Sequence, residues 1–246
     1  MAIASASRAP FLILVAGQPA APLRRHGGFD HWIRVAAGLG RDEAVVIDVE
    51  GGDELPTLDA FAGVIVSGSA AMVTERLPWS ERAAAWLADA SRAGLPLLGI
   101  CYGHQLLAHA LGGTVVDNPA GRRMGTFEVE LLPEAADDAL LGPLPPRFPA
   151  QMTHVQHVSV PPPGAVVLAR AEHDPCHAFH VGANTWGVQF HPEFSTTHMR
   201  GYLQARAGVL AQEGLDVRAL LDAVGAAPQA RRVLRRFVHH SRNAAR

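Results

Sequence analysis

The sequence predicts an α/β fold in which helices cover both faces of a mostly parallel central sheet, with a small antiparallel extension and helices at the carboxyl-terminal end. Three observations predict it. Apolar, strand-like runs alternate with amphipathic helical patterns in the first half of the chain. Short strand-like segments separated by Pro- and Gly-rich turns follow, and helical spacing returns after residue 196.

The first half contains the alternation that produces parallel sheets. A buried parallel strand reads as a continuous apolar run, whereas a helix on its face repeats apolar residues every three or four positions. Pro78 precedes the helical pattern at residues 79–93 and Gly94 follows it, as is common where helices begin and end. In chain order, the predicted elements are a strand at residues 11–16, a helix at 29–39, strands at 44–49 and 64–67, a helix at 79–93, a strand at 95–100 and a helix at 103–111.

The middle of the chain changes to a pattern that favours antiparallel pairing beside the parallel sheet. Its strand-like segments lie within residues 115–131, 155–160, 166–171, 177–181 and 185–190. Residues 141–149, which are rich in proline, are predicted to form a surface loop.

Helices are predicted at residues 196–212, 217–224 and 229–240. In the last of these, Val233, Leu234, Phe237 and Val238 form an apolar stripe beside several arginines. This stripe predicts a docked helix with a solvated basic face. We therefore divide the chain into a main domain at residues 1–200 and a helical extension at residues 201–246 that packs on the same domain.

Composition excludes several classes of protein. None of the 21 basic residues is a lysine, which excludes Schiff-base and pyridoxal-phosphate catalysis and the usual phosphate-binding P-loop. No apolar stretch reaches the length of about 18 residues that suggests a membrane helix, and the amino terminus does not read as a secretory signal. With only Cys101 and Cys176, a disulfide framework is not expected, and a cytoplasmic location fits best. The net charge of −2 gives no reason to expect nucleic-acid binding.

The most informative segment is Gly99-Ile100-Cys101-Tyr102-Gly103, at the junction of a predicted buried strand and a predicted helix. A residue at such a sharp turn adopts a strained backbone, and the positions two before and two after it crowd together, so both require glycine. The turn presents the side chain away from the sheet, and the amino-terminal end of the helix favours a thiolate. Cys101 is therefore predicted to be a nucleophile, whereas Cys176 lacks any such context.

A candidate base follows a later strand, in Gly187-Val188-Gln189-Phe190-His191-Pro192-Glu193. Residues two apart in extended chain point the same way, and Pro192 restricts the backbone between them. We expect the Glu193 carboxylate to accept the imidazole N–H of His191, which is the arrangement that a nucleophilic thiol needs.

The other histidines show no pattern typical of a metal site. His154 and His157 are close in sequence but have no acid or thiol at suitable spacing. Neither a metal ion nor a cofactor is therefore expected.

Together these motifs resemble the triad, or class I, glutamine amidotransferases. The matching segments are residues 99–105 (GICYGHQ), 187–193 (GVQFHPE) and 66–70 (VSGSA), and residues 77–113 look most like the amidotransferase domain of GMP synthase and its free-standing relatives. The resemblance covers roughly residues 10–200. It implies the flavodoxin-like fold of that family.

The resemblance also implies roles for individual residues. Cys101 would attack the side-chain amide of glutamine, with His191 transferring protons and Glu193 orienting it. The Gly68 and Tyr102 N–H groups would form the oxyanion hole. Binding of the substrate's amino-acid end would fall to Gln105 and to the segment containing Thr153, His154 and Val155.

Two departures from the family pattern leave the substrate open. Gly68-Ser69-Ala70 stands where the family often has Gly-Gly-Pro, and Gln156 replaces an aspartate that would pair with the substrate ammonium. The predicted reaction is hydrolysis of glutamine, with ammonia passed to an unknown acceptor or to a separate synthetase subunit. The alternatives are a hydrolase or peptidase for another γ-glutamyl compound, and a regulatory or binding protein that reuses the fold. The sequence does not reveal the oligomeric state, and a homodimer is among the states it allows.

Overall fold

A computed structural model describes residues 9–244, and residues 1–8 and 245–246 lie outside the described part of the chain. The strands are β1 (Phe11–Val15), β2 (Ala44–Asp48), β3 (Gly63–Val66), β4 (Leu97–Ile100), β5 (Thr114–Asp117), β6 (Arg123–Leu131), β7 (Arg147–His154), β8 (Gln156–Val160), β9 (Val166–Ala171), β10 (Asp174–Val181) and β11 (Thr185–Val188). The helices are α1 (Phe29–Ala37), α2 (Pro78–Arg92), α3 (Tyr102–Ala110), α4 (Thr196–Ala205), α5 (Ala207–Gln212), α6 (Val217–Asp222) and α7 (Pro228–Ala244).

Nine strands form one mixed sheet in the order β2-β1-β3-β4-β11-β10-β9-β6-β7. The first five strands in this order are parallel, and β10, β9, β6 and β7 continue the sheet in antiparallel pairs. Strands β5 and β8 form a separate antiparallel pair. The predicted α/β architecture with an antiparallel extension is confirmed.

Helices cover both faces of the parallel strands, as predicted. On one face, α1 and α7 bury Ile33, Val233 and Phe237 against residues of β1 and β11. On the other face, α2 and α3 contribute a second apolar cluster that includes Leu87 and Leu106. A third cluster joins α4 and α5 to the beginning of α1. None of the helices described within residues 9–244 has the length and apolar character required to cross a bilayer.

The prediction of a surface loop at residues 141–149 is wrong. Leu141 is fully buried, and strand β7 begins at Arg147. The Asp138 carboxylate accepts the N–H groups of Leu140 and Leu141, which turns the apolar side chains inward. Pro149 is compatible with β7 because this strand lies at the edge of the sheet, where one side needs no hydrogen-bond donor.

The predicted helix at residues 196–212 is divided into α4 and α5 at Arg206, whose φ of −108° and ψ of 10° depart from helical values. Ser195 caps the first of the two helices by accepting the His198 N–H. The break lies beside the cleft described below.

Helix α7 buries the apolar stripe predicted for it, since Val233, Leu234, Phe237 and Val238 are all buried. The Phe237 ring lies 6.3 Å from that of Phe11 and 6.4 Å from that of Trp186. This packing links the end of the chain to the first and last strands of the parallel half.

Replacing Phe237 with alanine should therefore lower the free energy of unfolding by about 3–5 kcal/mol, because it leaves a cavity between α7 and the sheet. Arg235→Ala, on the exposed side of the same helix, is the matched control and should change it by less than about 0.5 kcal/mol. Denaturant unfolding measures both. Equal effects of the two substitutions would show that α7 is not held by its apolar stripe.

Candidate active site

Cys101 occupies a strained turn between β4 and α3, with φ of 51° and ψ of −100°. Few residues other than glycine adopt a positive φ. A Cβ at Gly99 would lie 2.3 Å from the Gly103 carbonyl oxygen, and one at Gly103 would lie 2.6 Å from the Val66 carbonyl oxygen. Glycine is therefore required on both sides of Cys101, as the sequence predicts.

The Cys101 side chain is only 5% exposed but lines a cleft of about 250 Å³. Its Sγ lies 3.6 Å from the Thr153 carbonyl oxygen, at the end of β7. The Cys101 N–H donates to the Val188 carbonyl, which ties the turn to β11. Cys101 is thus held at the amino-terminal end of α3, where it lines the cleft and also packs against the apolar cluster of α1 and α7.

His191 and Glu193 lie just after β11 and form the predicted hydrogen bond. The Nδ1 of His191 lies 2.8 Å from Glu193 Oε1, and both side chains are buried. Since the carboxylate can only accept, Nδ1 carries the proton. The His191 ring also stacks on Phe194 at 4.1 Å. These contacts fix the ring, and its Nε2 makes no well-formed hydrogen bond within residues 9–244.

The His191 imidazole and the Cys101 side chain both lie next to the backbone of Gly68. A Cβ at Gly68 would lie 2.9 Å from His191 Cε1 and 3.8 Å from Cys101 Cβ. Any larger residue here would displace the imidazole. The predicted residues Cys101 and His191 line the cleft, and the backbone of Gly68 lies next to both of them.

His191 is strongly biased toward its protonated form. Burial disfavours the charged ring, but the negative charge of Glu193 and the interaction with Cys101 outweigh this effect and raise the pKa of His191 to about 10. At neutral pH the imidazolium is therefore the dominant form, and it is positioned to stabilise a neighbouring thiolate.

Two backbone N–H groups are free at the same place. Gly68 follows β3, and its N–H has no acceptor in the described part of the chain. Tyr102 is the first residue of α3, so its N–H has no partner within the helix. The Tyr102 side chain is anchored elsewhere, with its Oη 2.6 Å from Ser80 Oγ. Both N–H groups are therefore available to a ligand.

The predicted substrate-binding residues all line the cleft: Gln105, Thr153, His154 and Val155. Gln105 Nε2 donates to the Gln156 carbonyl and to Gln189 Oε1, so its amide group braces the turn between β7 and β8. The side chain of Gln156 donates to Asp117 Oδ1 at 2.8 Å and to Thr74 Oγ1 at 2.7 Å. The Asp117 carboxylate is thus held next to Gln156, which stands where the family pattern has an aspartate.

Three arginines that the sequence analysis did not single out also line the cleft: Arg24, Arg122 and Arg206. Arg122 makes a two-point ion pair with Glu213, whereas Arg24 and Arg206 have no ion pair within the described residues. No Asp or Glu of residues 9–244 lines this cleft. The three arginines come from distant parts of the chain, so no local sequence signal marks them.

A buried polar cluster lies behind the cleft wall, where His154 meets Asp174 and His177 of β10. Burial lowers the pKa of His154 to about 4, so its ring is neutral. Burial raises the pKa of Asp174, but the hydrogen bond from His177 and the neighbouring imidazoles outweigh this effect and lower the pKa to about 2. Sequence spacing alone did not reveal this cluster because its members come from separate strands.

Comparison with known proteins places these features in a family context. Residues 41–207 match the family model described as glutamine amidotransferase class-I. The GMP synthase [glutamine-hydrolyzing] of Thermomicrobium roseum is 41% identical over 135 residues, which cover 55% of this chain and 24% of the relative. The enzyme of the same name from Aeropyrum pernix is 41% identical over 146 residues, covering 59% and 26%. The chain thus spans about a quarter of the length of these relatives.

Solved structures share the fold over nearly the whole chain. A glutamine amidotransferase from Thermotoga maritima superposes with a TM-score of 0.76 at 20% identity, covering 96% of this chain and 99% of that one. A glutamine amidotransferase from Methylobacillus flagellatus gives a TM-score of 0.69 at 23% identity, covering 96% and 94%. At these identities the likeness establishes the fold.

Replacing Glu193 with glutamine should lower the pKa of His191 from about 10, because the largest contribution favouring the charged ring disappears. Nuclear magnetic resonance of the imidazole protons, followed across about pH 5–11, measures this change. Glu172→Gln, at an exposed side chain, is the control and should leave the His191 pKa unchanged.

The free energy of unfolding should depend on pH through the same His191 ionisation. The folded-state pKa of His191 lies above the ordinary value of 6.5, so its contribution is complete below about pH 6.5 and is lost as the pH rises through about 10. The wild-type protein should lose this part of its unfolding free energy across that interval, and the Glu193→Gln protein should lose less. An unchanged His191 pKa in the variant would contradict the assignment of the ion pair.

Proposed function

Because the chain belongs to the class I glutamine amidotransferase family, we propose that it hydrolyses the side-chain amide of glutamine to glutamate and ammonia. The observation that carries the proposal is that the Cys101 side chain and the His191 imidazole line one cleft and both lie next to the backbone of Gly68. A nucleophile, a proton carrier and a backbone donor at one point form the minimal set for acyl transfer.

The first half of the reaction forms a thioester. The Cys101 thiolate attacks the amide carbon, and the Gly68 and Tyr102 N–H groups donate to the oxygen as it becomes negative. Losing one such donor typically costs about 10²–10³ in rate. His191 then gives its proton to the departing nitrogen, which leaves as ammonia. The raised pKa of His191 supports this order, since the ring begins the cycle protonated.

The second half releases glutamate. His191, now neutral, accepts a proton from a water molecule that attacks the γ-glutamyl thioester. Collapse of the resulting intermediate breaks the C–S bond and regenerates the thiolate beside the imidazolium. Glu193 keeps Nδ1 protonated throughout, so that Nε2 alone exchanges protons with substrate and water.

Ammonia is proposed to pass to an acceptor outside this sequence. The relatives named GMP synthase [glutamine-hydrolyzing] match this chain over only about a quarter of their length. The sequence contains no lysine and hence no usual phosphate-binding loop for activating an acceptor. We propose a synthetase, present as a separate subunit, as the partner that uses this ammonia.

The arginines of the cleft favour a second candidate substrate, a γ-glutamyl compound whose amine portion carries a carboxylate. Glutamine has one carboxylate and one ammonium group, whereas the cleft lining presents Arg24, Arg122 and Arg206 and no acid within the described residues. An additional anionic group on the leaving amine would pair with the arginines that lack an ion pair. The triad chemistry is the same for both substrates.

Cys101→Ala should abolish glutamine hydrolysis while leaving the fold intact, because the variant removes the nucleophilic sulfur and no other heavy atom of the side chain. Cys176→Ala is the matched control and should retain turnover, since burial raises the pKa of the Cys176 thiol to about 12 and keeps it inert. A coupled assay of released glutamate measures both, with circular dichroism to check folding.

Covalent labelling gives an independent test of the same residue. A diazo-ketone analogue of glutamine should modify Cys101 and spare Cys176, as read by mass spectrometry of peptides. Turnover retained by Cys101→Ala, or equal labelling of both cysteines, would remove Cys101 from the mechanism.

Arg206→Gln should separate the two candidate substrates. If the substrate is an anionic γ-glutamyl compound, this variant should lower kcat/KM for γ-glutamylglutamate by about 10–100-fold, the loss of one charge-assisted hydrogen bond. Turnover of glutamine should change by less than about threefold. Arg218→Gln, at a side chain 85% exposed and outside the cleft, is the control. Faster wild-type turnover of glutamine than of γ-glutamylglutamate would reject the second candidate.

A further inference from the structure

Strand β8 packs beside β10 but shares no backbone ladder with it. Strand β10 belongs to the nine-stranded sheet, whereas β8 pairs with β5 in the separate two-stranded sheet. The turn from β7 into β8, at residues 153–156, forms one wall of the cleft. The contact that joins this wall to β10 is therefore made by side chains.

Asp174, the first residue of β10, is a buried carboxylate with one oxygen left unpaired. Its Oδ2 accepts a hydrogen bond from His177 Nδ1 at 2.7 Å, whereas its Oδ1 has no hydrogen-bond partner within residues 9–244. Burial raises the pKa of this carboxyl group, but the hydrogen bond and the neighbouring imidazoles lower it to about 2, so the group is ionised. Burying a charge with an unpaired oxygen is unfavourable, so a second donor is expected at Oδ1.

His157, on β8, carries a suitable donor. Its Nδ1 is buried, has no hydrogen-bond partner in the described chain and lies 3.9 Å from Asp174 Oδ1. The two unpaired atoms are complementary, because an imidazole nitrogen can carry a proton and a carboxylate oxygen accepts a hydrogen bond. An approach of about 1 Å brings them to hydrogen-bond distance. One contact then satisfies both atoms.

His154 does not compete for the same oxygen. Burial lowers the pKa of His154 to about 4, so its ring is neutral. A neutral imidazole has a single N–H. That of His154 is at Nδ1, which lies 3.0 Å from the Gln156 carbonyl oxygen and donates to it. His154 therefore has no donor left for Asp174.

The position of His157 is transmitted to the groups around the nucleophile. Successive side chains of a strand face opposite ways. Gln156 lines the cleft, so His157 lies behind the wall that Gln156 forms. The Gln156 carbonyl accepts a hydrogen bond from Gln105 Nε2, and the Thr153 carbonyl oxygen lies 3.6 Å from Cys101 Sγ. A displacement of His157 therefore moves backbone groups that lie close to the sulfur.

We propose that Asp174 is a positioning residue, which bonds His177 through one oxygen and His157 through the other and so fixes the cleft wall at residues 153–156. This inference rests on the proposed function, in which that wall binds the amino-acid end of the substrate. Asp174 itself does not line the cleft. Loss of the link should therefore weaken substrate binding more than it slows the chemical steps.

His157→Phe tests the link, because it removes the donor and keeps a planar ring. The KM for glutamine should rise about tenfold while kcat changes less than about threefold. His180→Phe is the matched control, since His180 Nδ1 lies 3.5 Å from the buried Asp138 Oδ2 and neither residue lines the cleft. A purely structural loss of this kind lowers the melting temperature and leaves KM unchanged.

Two further variants show whether the effect passes through Asp174. His157→Asn provides an N–H near the position of Nδ1 and should keep KM within about threefold of the wild-type value. Asp174→Ala should raise KM at least as much as His157→Phe does. Adding His157→Phe to Asp174→Ala should raise KM no further, because both substitutions break one contact.

Hydrogen exchange read by mass spectrometry tests the wall without a substrate. A peptide that covers residues 152–160 should exchange about tenfold faster in His157→Phe than in the wild type, whereas a peptide that covers β1 should be unchanged. A wild-type protein that does not hydrolyse glutamine would reject the proposed function. The exchange comparison would then still decide whether Asp174 and His157 hold the wall.

Unchanged KM together with unchanged exchange at residues 152–160 in His157→Phe would overturn the inference. An additive rise of KM in the doubly substituted protein would also overturn it, because Asp174 and His157 would then act separately. If Asp174→Ala does not fold, the comparison of His157→Phe with His157→Asn decides the question through KM and exchange.

Discussion

The site depends on one constraint, the positive φ of Cys101 at the end of the central strand β4. Such a conformation costs about 1–3 kcal/mol and persists only when its surroundings enforce it. Here, hydrogen bonds of the Cys101 N–H and of the Cys101 carbonyl both hold this conformation. The Cys101 N–H is bonded to the Val188 carbonyl, and its own carbonyl accepts the Gln105 N–H in the first turn of α3. Gly99 packs closely against Gly103, so the chain cannot pass from strand to helix through a wider turn.

The neighbours of β4 in the sheet explain why the other groups arrive at the same point. Strand β3 lies on one side and β11 on the other, and both run parallel to β4. Parallel strands end at the same edge, so Gly68 after β3 and His191 after β11 reach the edge where Cys101 turns. Residues that are distant in sequence thus converge because of strand order rather than because of a flexible loop.

The sequence revealed the features that depend on neighbouring residues. The glycines around Cys101, the two-residue step from His191 to Glu193 and the stripe on α7 are each encoded within a few positions, so they could be predicted. Other features depend on strand pairing. The surface loop predicted at residues 141–149 includes the first residues of edge strand β7, because the prolines of this segment outweighed its apolar pattern. The contact of His154 with Asp174 requires β8, β9 and β10 to be placed first. The cleft arginines are similarly scattered.

Charge balance connects the terminal helix to the site. In the proposed mechanism, a Cys101 thiolate, the His191 imidazolium and the Glu193 carboxylate together carry a net charge of −1, which is unfavourable in a buried setting unless cations lie nearby. Arg231 of α7 interacts electrostatically with Glu193, and Arg206 acts on Tyr202 at the cleft. The interaction of Arg231 with Glu193 is thus favourable, although burial and the neighbouring Arg235 have the larger effects on Arg231 and lower its pKa. Packing of α7 through Phe237 against Phe11 therefore also brings Arg231 within electrostatic range of Glu193.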